Sequence, residues 1–387
     1  MIANGLIALG IILFLLVILL PIDKTRKVVN REVKDICILI PARNESAVLE
    51  NLLISIEDQE YKLNNHDVYV ILESANDPSV DIVNKHHMTI LYRHNLNLQR
   101  KGYALDEAIK DILKIKHYDA YFIFDADNVL DKKYLKEMIK TIKAGYDIGI
   151  GYRNTKNGNA NIIATCSTLT FSLINTLTNK IRLKNQQTLI VSGTGFYISG
   201  YVINELKGYP FYSLTEDYEL SLYAAWTGLT TFYNEKAIFY DEQPTSLNVS
   251  IKQRSRWIKG YFMARKHYIP LIFSKLFKQY NSSLFLETIG ILPYLLIVIG
   301  LILKVINNIN YLLSILIIIY GILFILTLFM LLKENKQLNL SLKSKILALF
   351  FNPLFLITYL YCLIIAVFSK NMNWEPINHH YKGISNK

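Results

Sequence analysis

The chain has 387 residues and carries 42 Lys and Arg against 31 Asp and Glu, a net charge of +11. A hydrophobic content of 52% and a mean hydropathy of +0.24 exclude a disordered chain, and 17 Gly with 9 Pro exclude a collagen-like or low-complexity one. The apolar residues are bunched, which argues against a wholly soluble globule; Lys and Arg at the ends of membrane spans then explain the basic charge more simply than a nucleic-acid surface does. The three cysteines, Cys37, Cys166 and Cys362, show no CxxC spacing and indicate neither a disulfide framework nor a zinc site.

Residues 1–22 carry no charged side chain and are long enough to cross a bilayer. The basic cluster Lys24, Arg26, Lys27 and Arg31 follows this run, where a cleaved signal peptide would carry its basic residues before it. An uncleaved anchor with the N-terminus outside is expected. Residues 23–260 have globular composition. Short β-rich runs at Ile36–Ile40, Val68–Leu72, Thr89–Tyr92 and Ala120–Phe124 alternate with helical patterns at Ser46–Ile56 and Tyr103–Leu113. Such alternation predicts a mainly parallel sheet covered on both faces, with ligands beyond the carboxyl ends of its strands. Residues 261–282 are expected to form an amphipathic interface helix. Within 283–369, three runs read as spans: Leu284–Ile306, broken by Glu287 near its start and Lys304 near its end, then Tyr311–Leu332 and Ile346–Phe368. Lys333, Lys336, Lys343 and Lys345 place the loop between the last two inside, with a cytosolic globular domain and a tail, 370–387, outside.

The strand ends carry the chemistry. Pro41-Ala42-Arg43-Asn44-Glu45-Ser46 leads from strand to helix; Ser46 or Asn44 is a capping candidate, and an exposed carboxylate at a helix start also suits a nucleotide. Glu73 ends the next strand, where a carboxylate can grip a ribose hydroxyl or simply belong to the Asn-Asp-Pro turn that follows. The apolar strand 121–124 delivers Asp125 and Asp127. Paired carboxylates repel unless a cation sits between them, and Mg²⁺ or Mn²⁺ suits such hard oxygens; an acidic turn is the plainer alternative. Gly193-Thr194-Gly195 allows close backbone approach to a ligand or forms an ordinary turn. Thr215-Glu216-Asp217 opens a helix over 218–227 and suits both capping and an exposed catalytic carboxylate. Gln253-Arg254-Ser255-Arg256-Trp257 combines charge and aromatic surface, fit for a pyrophosphate and a sugar or, alternatively, for a membrane-facing helix.

In this order the strings PARNES, ESANDP, QRKGYAL, DAD, GTG, TED and QRSRW, followed by apolar spans, resemble the processive membrane glycosyltransferases of family 2, among them cellulose, chitin, hyaluronan and poly-N-acetylglucosamine synthases. The resemblance covers about residues 36–265 by motif. It implies an α/β GT-A-type nucleotide-sugar-binding domain between one N-terminal and about three C-terminal transmembrane helices. It also implies a UDP-sugar donor, UDP-GlcNAc or UDP-glucose, and an inverting transfer that extends a β-linked glycan at the plasma membrane. Position by position, Ala42, Glu45, Glu73, Lys101 and Asp125 match the donor site. Glu73 departs from the family's usual Asp by one methylene. Asp125 and Asp127 match the metal motif, with Asp127 the more direct ligand of Mg²⁺ or Mn²⁺, and Asp217 matches the base. Gly193, Thr194, Gly195, Glu216, Gln253, Arg256 and Trp257 match the acceptor and pyrophosphate site. Trp374-Glu375-Pro376-Ile377 resembles a tail motif found on the cytosolic side, in conflict with the charge-derived sidedness. Transfer of a single sugar to a lipid carrier or short glycan is an alternative, and a non-catalytic nucleotide sensor a more remote one. Membrane lipids are expected partners, a homo-oligomer or secretion partner fits the small number of spans, and no nucleic-acid partner is implied.

Overall fold

The computed structural model describes residues 1–19, 28–278 and 281–369. The Trp374–Ile377 string and the basic residues Lys24, Arg26 and Lys27 lie outside them. After α1 (Ile2–Leu19), the chain runs β1 (Ile36–Pro41), α2 (Leu49–Glu57), β2 (Val68–Leu72), α3 (Val80–Lys85), β3 (Thr89–Tyr92), α4 (Lys101–Leu113), β4 (Ala120–Ile123), β5 (Val129–Leu130), α5 (Tyr134–Lys143) and β6 (Ile148–Thr155). Then α6 (Ile162–Leu173) continues through a π-helical stretch, Ile174–Lys180, into α7 (Ile181–Lys184). The domain is completed by β7 (Phe196–Ser199), α8 (Gly200–Leu206), α9 (Glu216–Thr227), β8 (Thr231–Asp241) and α10 (Leu247–Lys278). The apolar C-terminal helices are α11 (Ser282–Ile289), α12 (Leu292–Asn307), α13 (Tyr311–Lys333) and α14 (Leu342–Phe368).

Eight strands form one sheet in the order β3-β2-β1-β4-β7-β6-β8-β5. Alternate residues of β1 point to opposite faces, so Ile36, Ile38 and Ile40 enter one core while Cys37 and Leu39 enter the other. The first core is closed by α2 and α5 through Leu49, Leu52, Leu135 and Met138; the second by α4, α8 and α9 through Leu105, Ile109, Ile203 and Leu220. A strand buried on both faces must be apolar throughout, which is why these strands read as unbroken apolar runs. The sheet is Rossmann-like on the β3-β2-β1-β4 side, where all neighbours are parallel. Beyond β4 it is mixed, because β7 runs antiparallel to both β4 and β6. The architecture is the expected GT-A-type α/β domain.

Three helical segments, Ser282–Asn307, Tyr311–Lys333 and Leu342–Phe368, are long and apolar enough to cross a membrane; the apolar stretch Ile2–Leu16 of α1 is shorter. The first of them turns at Gly290, between α11 and α12, with φ +54°. Helix α1 packs antiparallel on α12 through two glycines. A Cβ at Gly10 would meet Pro293 O at 2.7 Å, and one at Gly300 would meet Ala3 O at 2.8 Å. Small residues of this kind let two apolar helices approach backbone to backbone. The 333–345 connection lies against the sheet: Asn154 Nδ2 donates to Gln337 O at 2.7 Å, and Glu334 accepts from Tyr152 Oη at 2.9 Å and Thr176 Oγ1 at 2.7 Å. This loop and the globular domain therefore share a side of the apolar helices. Lys259 Nζ of α10 donates to Ser369 O at 2.8 Å, so the end of α14 rests on α10, because α14 leans along that helix instead of leaving the domain.

Candidate active site

A cavity of about 1270 Å³ opens at the carboxyl ends of β1, β2 and β4 and reaches the apolar helices. Ala42 and Glu45 line it just after β1, and Glu73 just after β2. Glu73 Oε2 lies 3.0 Å from Arg43 Nε, an ion pair that spans the two strand ends. The expected caps of the following helix are corrected here. Val48 is the N-cap residue of α2 and makes no side-chain cap. With Val48 at the cap, neither Asn44 nor Ser46 holds that position; Asn44 takes a left-handed turn, φ +57°, and its N–H donates to Asp77 Oδ2 at 3.0 Å.

Asp125 and Asp127 follow β4. The Asp125 N–H donates to Thr194 Oγ1 at 2.8 Å, and the Thr194 hydroxyl donates to Asn128 Oδ1. Asp127 Oδ1 accepts from Asn128 Nδ2 at 3.1 Å and its Oδ2 from the Glu242 N–H at 3.0 Å. A cation does stand beside these carboxylates. Lys101 Nζ, from the first turn of α4, donates to Asp125 Oδ1 at 2.5 Å and to Gly193 O at 2.6 Å. Burial works to lower the Lys101 pKa, but Asp125, Glu216 and Asp217 outweigh it and raise the value above that of an ordinary lysine.

Thr194 and Gly195 sit behind the cavity wall that Gly193 forms. Gly195, at φ +65°, has the Phe239 ring where a side chain would begin, with Cε1 2.1 Å from an added Cβ. Only glycine fits there. Glu216 and Asp217 open α9 on the adjacent wall. Thr215 is the N-cap residue, yet its hydroxyl bonds nothing in the first turn. It is buried without a partner, because Gly260 of α10 presses on it: a Cβ at Gly260 would lie 2.5 Å from Thr215 Oγ1. Glu219 reaches back instead, and its Oε2 accepts from the Ser213 N–H at 2.8 Å. Burial raises the pKa of both Glu216 and Asp217; Asp217 raises Glu216 further, while Lys101 draws both down.

Helix α10 supplies Gln253, Arg256 and Trp257 to the same cavity. Arg256 faces Glu216, Asp125 and Asp217; burial depresses its pKa against their pull. No hydrogen bond to another described residue holds its guanidinium. Trp257 meets Phe171 edge-on, with ring centroids 5.7 Å apart. Arg254 also borders the cavity, but its guanidinium is held against α14. It donates to Thr358 Oγ1 at 2.8 Å and stacks 4.1 Å above Phe355, both on α14.

Three groups were not singled out by sequence. Arg153, on β6, donates through Nε to Asp241 Oδ2 at 2.7 Å and through Nη1 to Ser192 O at 2.8 Å, and lines the cavity beside Asp217. Burial lifts the Asp241 carboxyl to about 6 even though Arg153 draws it down. Arg182, on α7, lies on the wall toward the apolar helices. That wall is completed by Phe14, Leu177, Ile181, Tyr294 and Leu363. The Asp-Glu-Gln-Pro string at 241–244 was the available signal for Asp241; nothing in the local sequence marks Arg153 or Arg182.

The model of glycosyl transferase family group 2 matches residues 122–369, and that of glycosyl transferase family 2 matches residues 37–206. "Probable glycosyltransferase YdaM" of Bacillus subtilis (strain 168) is 25% identical over 249 residues, 59% of this chain; the match spans 56% of that relative's length. Among solved structures, mannosyltransferase PcManGT from Pyrobaculum calidifontis, in complex with GDP-Man and Mn²⁺, superposes with a TM-score of 0.58 at 14% identity, over 96% of this chain and 99% of that one. The S. aureus TarS fragment 1–349 in complex with UDP-GlcNAc gives a TM-score of 0.42 at 14% identity, over 69% of this chain and 80% of that one.

Proposed function

The chain belongs to glycosyltransferase family 2, and on that premise we propose that it is an inverting transferase that uses UDP-GlcNAc or UDP-glucose to extend a β-linked glycan at the membrane. One observation carries the reading: the carboxylates of Asp125, Asp127 and Asp217 and the guanidinium of Arg256 line a single cavity at the strand ends. Asp217 takes the proton from an acceptor hydroxyl. That oxygen attacks the anomeric carbon as the bond to the diphosphate oxygen breaks on the opposite face. Lys101 and Arg256 stand where negative charge grows on the departing diphosphate. Ala42, Glu45 and Glu73 border the nucleoside, and Gln253 and Trp257 the terminal acceptor sugar.

Asp125 and Asp127 would hold Mg²⁺ or Mn²⁺. Two carboxylates at a strand end that line the same cavity fit a hard ion that keeps waters and takes phosphate oxygens. When bound, the ion neutralises charge on the leaving diphosphate. The globular domain is proposed to face the cytosol at the plasma membrane, in line with the lysines at 333–345.

A second reading is transfer of one sugar to a lipid-linked acceptor. It is favoured by the apolar end of the cavity, where Phe14, Leu177 and Tyr294 suit a hydrocarbon chain. The test is a donor panel on purified protein with Mg²⁺ or Mn²⁺, reading UDP release and sizing the product. Long product from one UDP-sugar supports the polymer reading. A single added sugar supports the second, and binding of every donor without release overturns both.

A further inference from the structure

Glu287 is the acid that interrupts the apolar run at its start, and it is 4% exposed. A buried carboxylate in such a segment is costly unless paired, and is a mark of function when it is kept. Both of its oxygens are engaged. Oε1 accepts from Arg182 Nη1 at 2.7 Å and Oε2 from Tyr218 Oη at 3.0 Å. Its backbone carbonyl accepts from Arg265 Nη1 at 2.5 Å, and Thr288 O accepts from Arg265 Nη2 at 3.0 Å. Tyr218 follows Asp217 directly, and its ring stacks on Tyr261 of α10 with centroids 5.0 Å apart. The turn at Gly290 makes this approach possible, since a Cβ there would lie 2.4 Å from Tyr261 Oη and 2.6 Å from Arg265 Cζ.

One side chain of α11 thus joins the first turn of α9, the cavity wall on α7 and, through the Arg265 contacts beside it, helix α10. We propose that Glu287 is a positioning residue: through Tyr218 it fixes where Asp217 points, and through Arg182 it fixes the wall that the acceptor passes. The proposal rests on the reading of Asp217 as the base. It accounts for why a carboxylate is kept in an apolar segment where a leucine would pack more cheaply. A displacement of about 1 Å at a reacting group costs on the order of 100-fold in rate, so small losses of register here would be visible.

The experiment uses the full-length protein in detergent with UDP-GlcNAc and UDP-glucose, a polar lipid extract as acceptor source, and UDP release as readout. Glu287→Gln and Arg182→Gln are each expected to lower kcat by about 10–100-fold, with donor KM within about twofold of the parent. The double variant is expected to be no worse than the poorer single one, because the two act through each other. Unchanged kcat in the single variants overturns the proposal. So does a donor KM that rises as kcat falls, which is the signature of a merely structural role, and so does an additive double loss. Tyr218→Phe, which removes one hydroxyl, carries the same test if Glu287→Gln does not fold, with the same split expected between kcat and donor KM. Asp217→Asn runs alongside. If it stays active the base reading fails by itself; if it is inactive while Glu287→Gln behaves as the parent, only the positioning role is lost.

Discussion

Lys101 stands between the two acidic walls of the cavity, with Nζ 2.5 Å from Asp125 Oδ1 and its charge felt at Asp217 on the other side. A cation of the protein therefore pairs with Asp125 on one wall and acts on Glu216 and Asp217 on the other. Burial raises the Asp217 pKa, and Lys101 holds it below where burial alone would put it.

This predicts the pH behaviour of a Lys101→Gln variant. Asp217 must be ionised to accept a proton, so kcat rises with pH as the carboxyl loses its own. Removing the Lys101 cation favours the protonated form and raises the Asp217 pKa further. The acidic limb of the kcat profile should move to higher pH, measured from about pH 4 to about 9. A limb that stays in place or moves toward acid removes Lys101 from this role.

Asp217→Asn should abolish transfer while UDP-sugar binding survives. General base catalysis of this kind contributes about 10²–10⁴ in rate. Donor affinity measured by calorimetry should change little, because Asp125, Lys101 and Arg256 remain. A variant that keeps most of its rate would take the base assignment away from Asp217.

Chelation should stop UDP release, and Mg²⁺ or Mn²⁺ should restore it. Asp127→Ala should weaken the restoration more than Glu73→Gln does, since Asp127 is oriented on both oxygens by Asn128 and the Glu242 N–H. A full rate in excess EDTA would remove the metal role from the Asp125–Asp127 pair.

The centre of the parallel half of the sheet was legible because β1, β2 and β4 are apolar and buried on both faces, and edge strand β3 because it is a short apolar run between turns. Val68–Leu72 and Thr89–Tyr92 begin and end where the sequence pattern changes. The antiparallel β7 was not legible, since its four residues follow the Gly193–Gly195 turn and their direction depends on β4 and β6 on either side. Glu45, Glu73, Asp125 and Asp127 stood out as strings because each follows a strand, while Lys101, Asp217 and Arg256 reach the same cavity from α4, α9 and α10. Arg153 and Arg182 did not stand out, because each acts through a partner distant in sequence, Asp241 and Glu287. The capping expectations at Asn44 and Thr215 misled for a related reason. A cap reads as local chemistry, but Asp77 and Gly260, from other elements, decide what those segments can do.

The seam between α1 and α12 sets a schedule for biosynthesis. Leu19 ends α1 and Leu292 begins its partner helix, a gap of 292 − 19 = 273 residues. At about 5–20 residues per second of translation, α1 waits roughly 14–55 s before α12 exists. Throughout that interval the face bearing Gly10 and Ala3 has no mate within the nascent chain, while the whole sheet is made and can fold. A ribosome-stalled chain ending before Leu292 should therefore expose that face to crosslinking from a neighbour, and one stalled well after Asn307 should not.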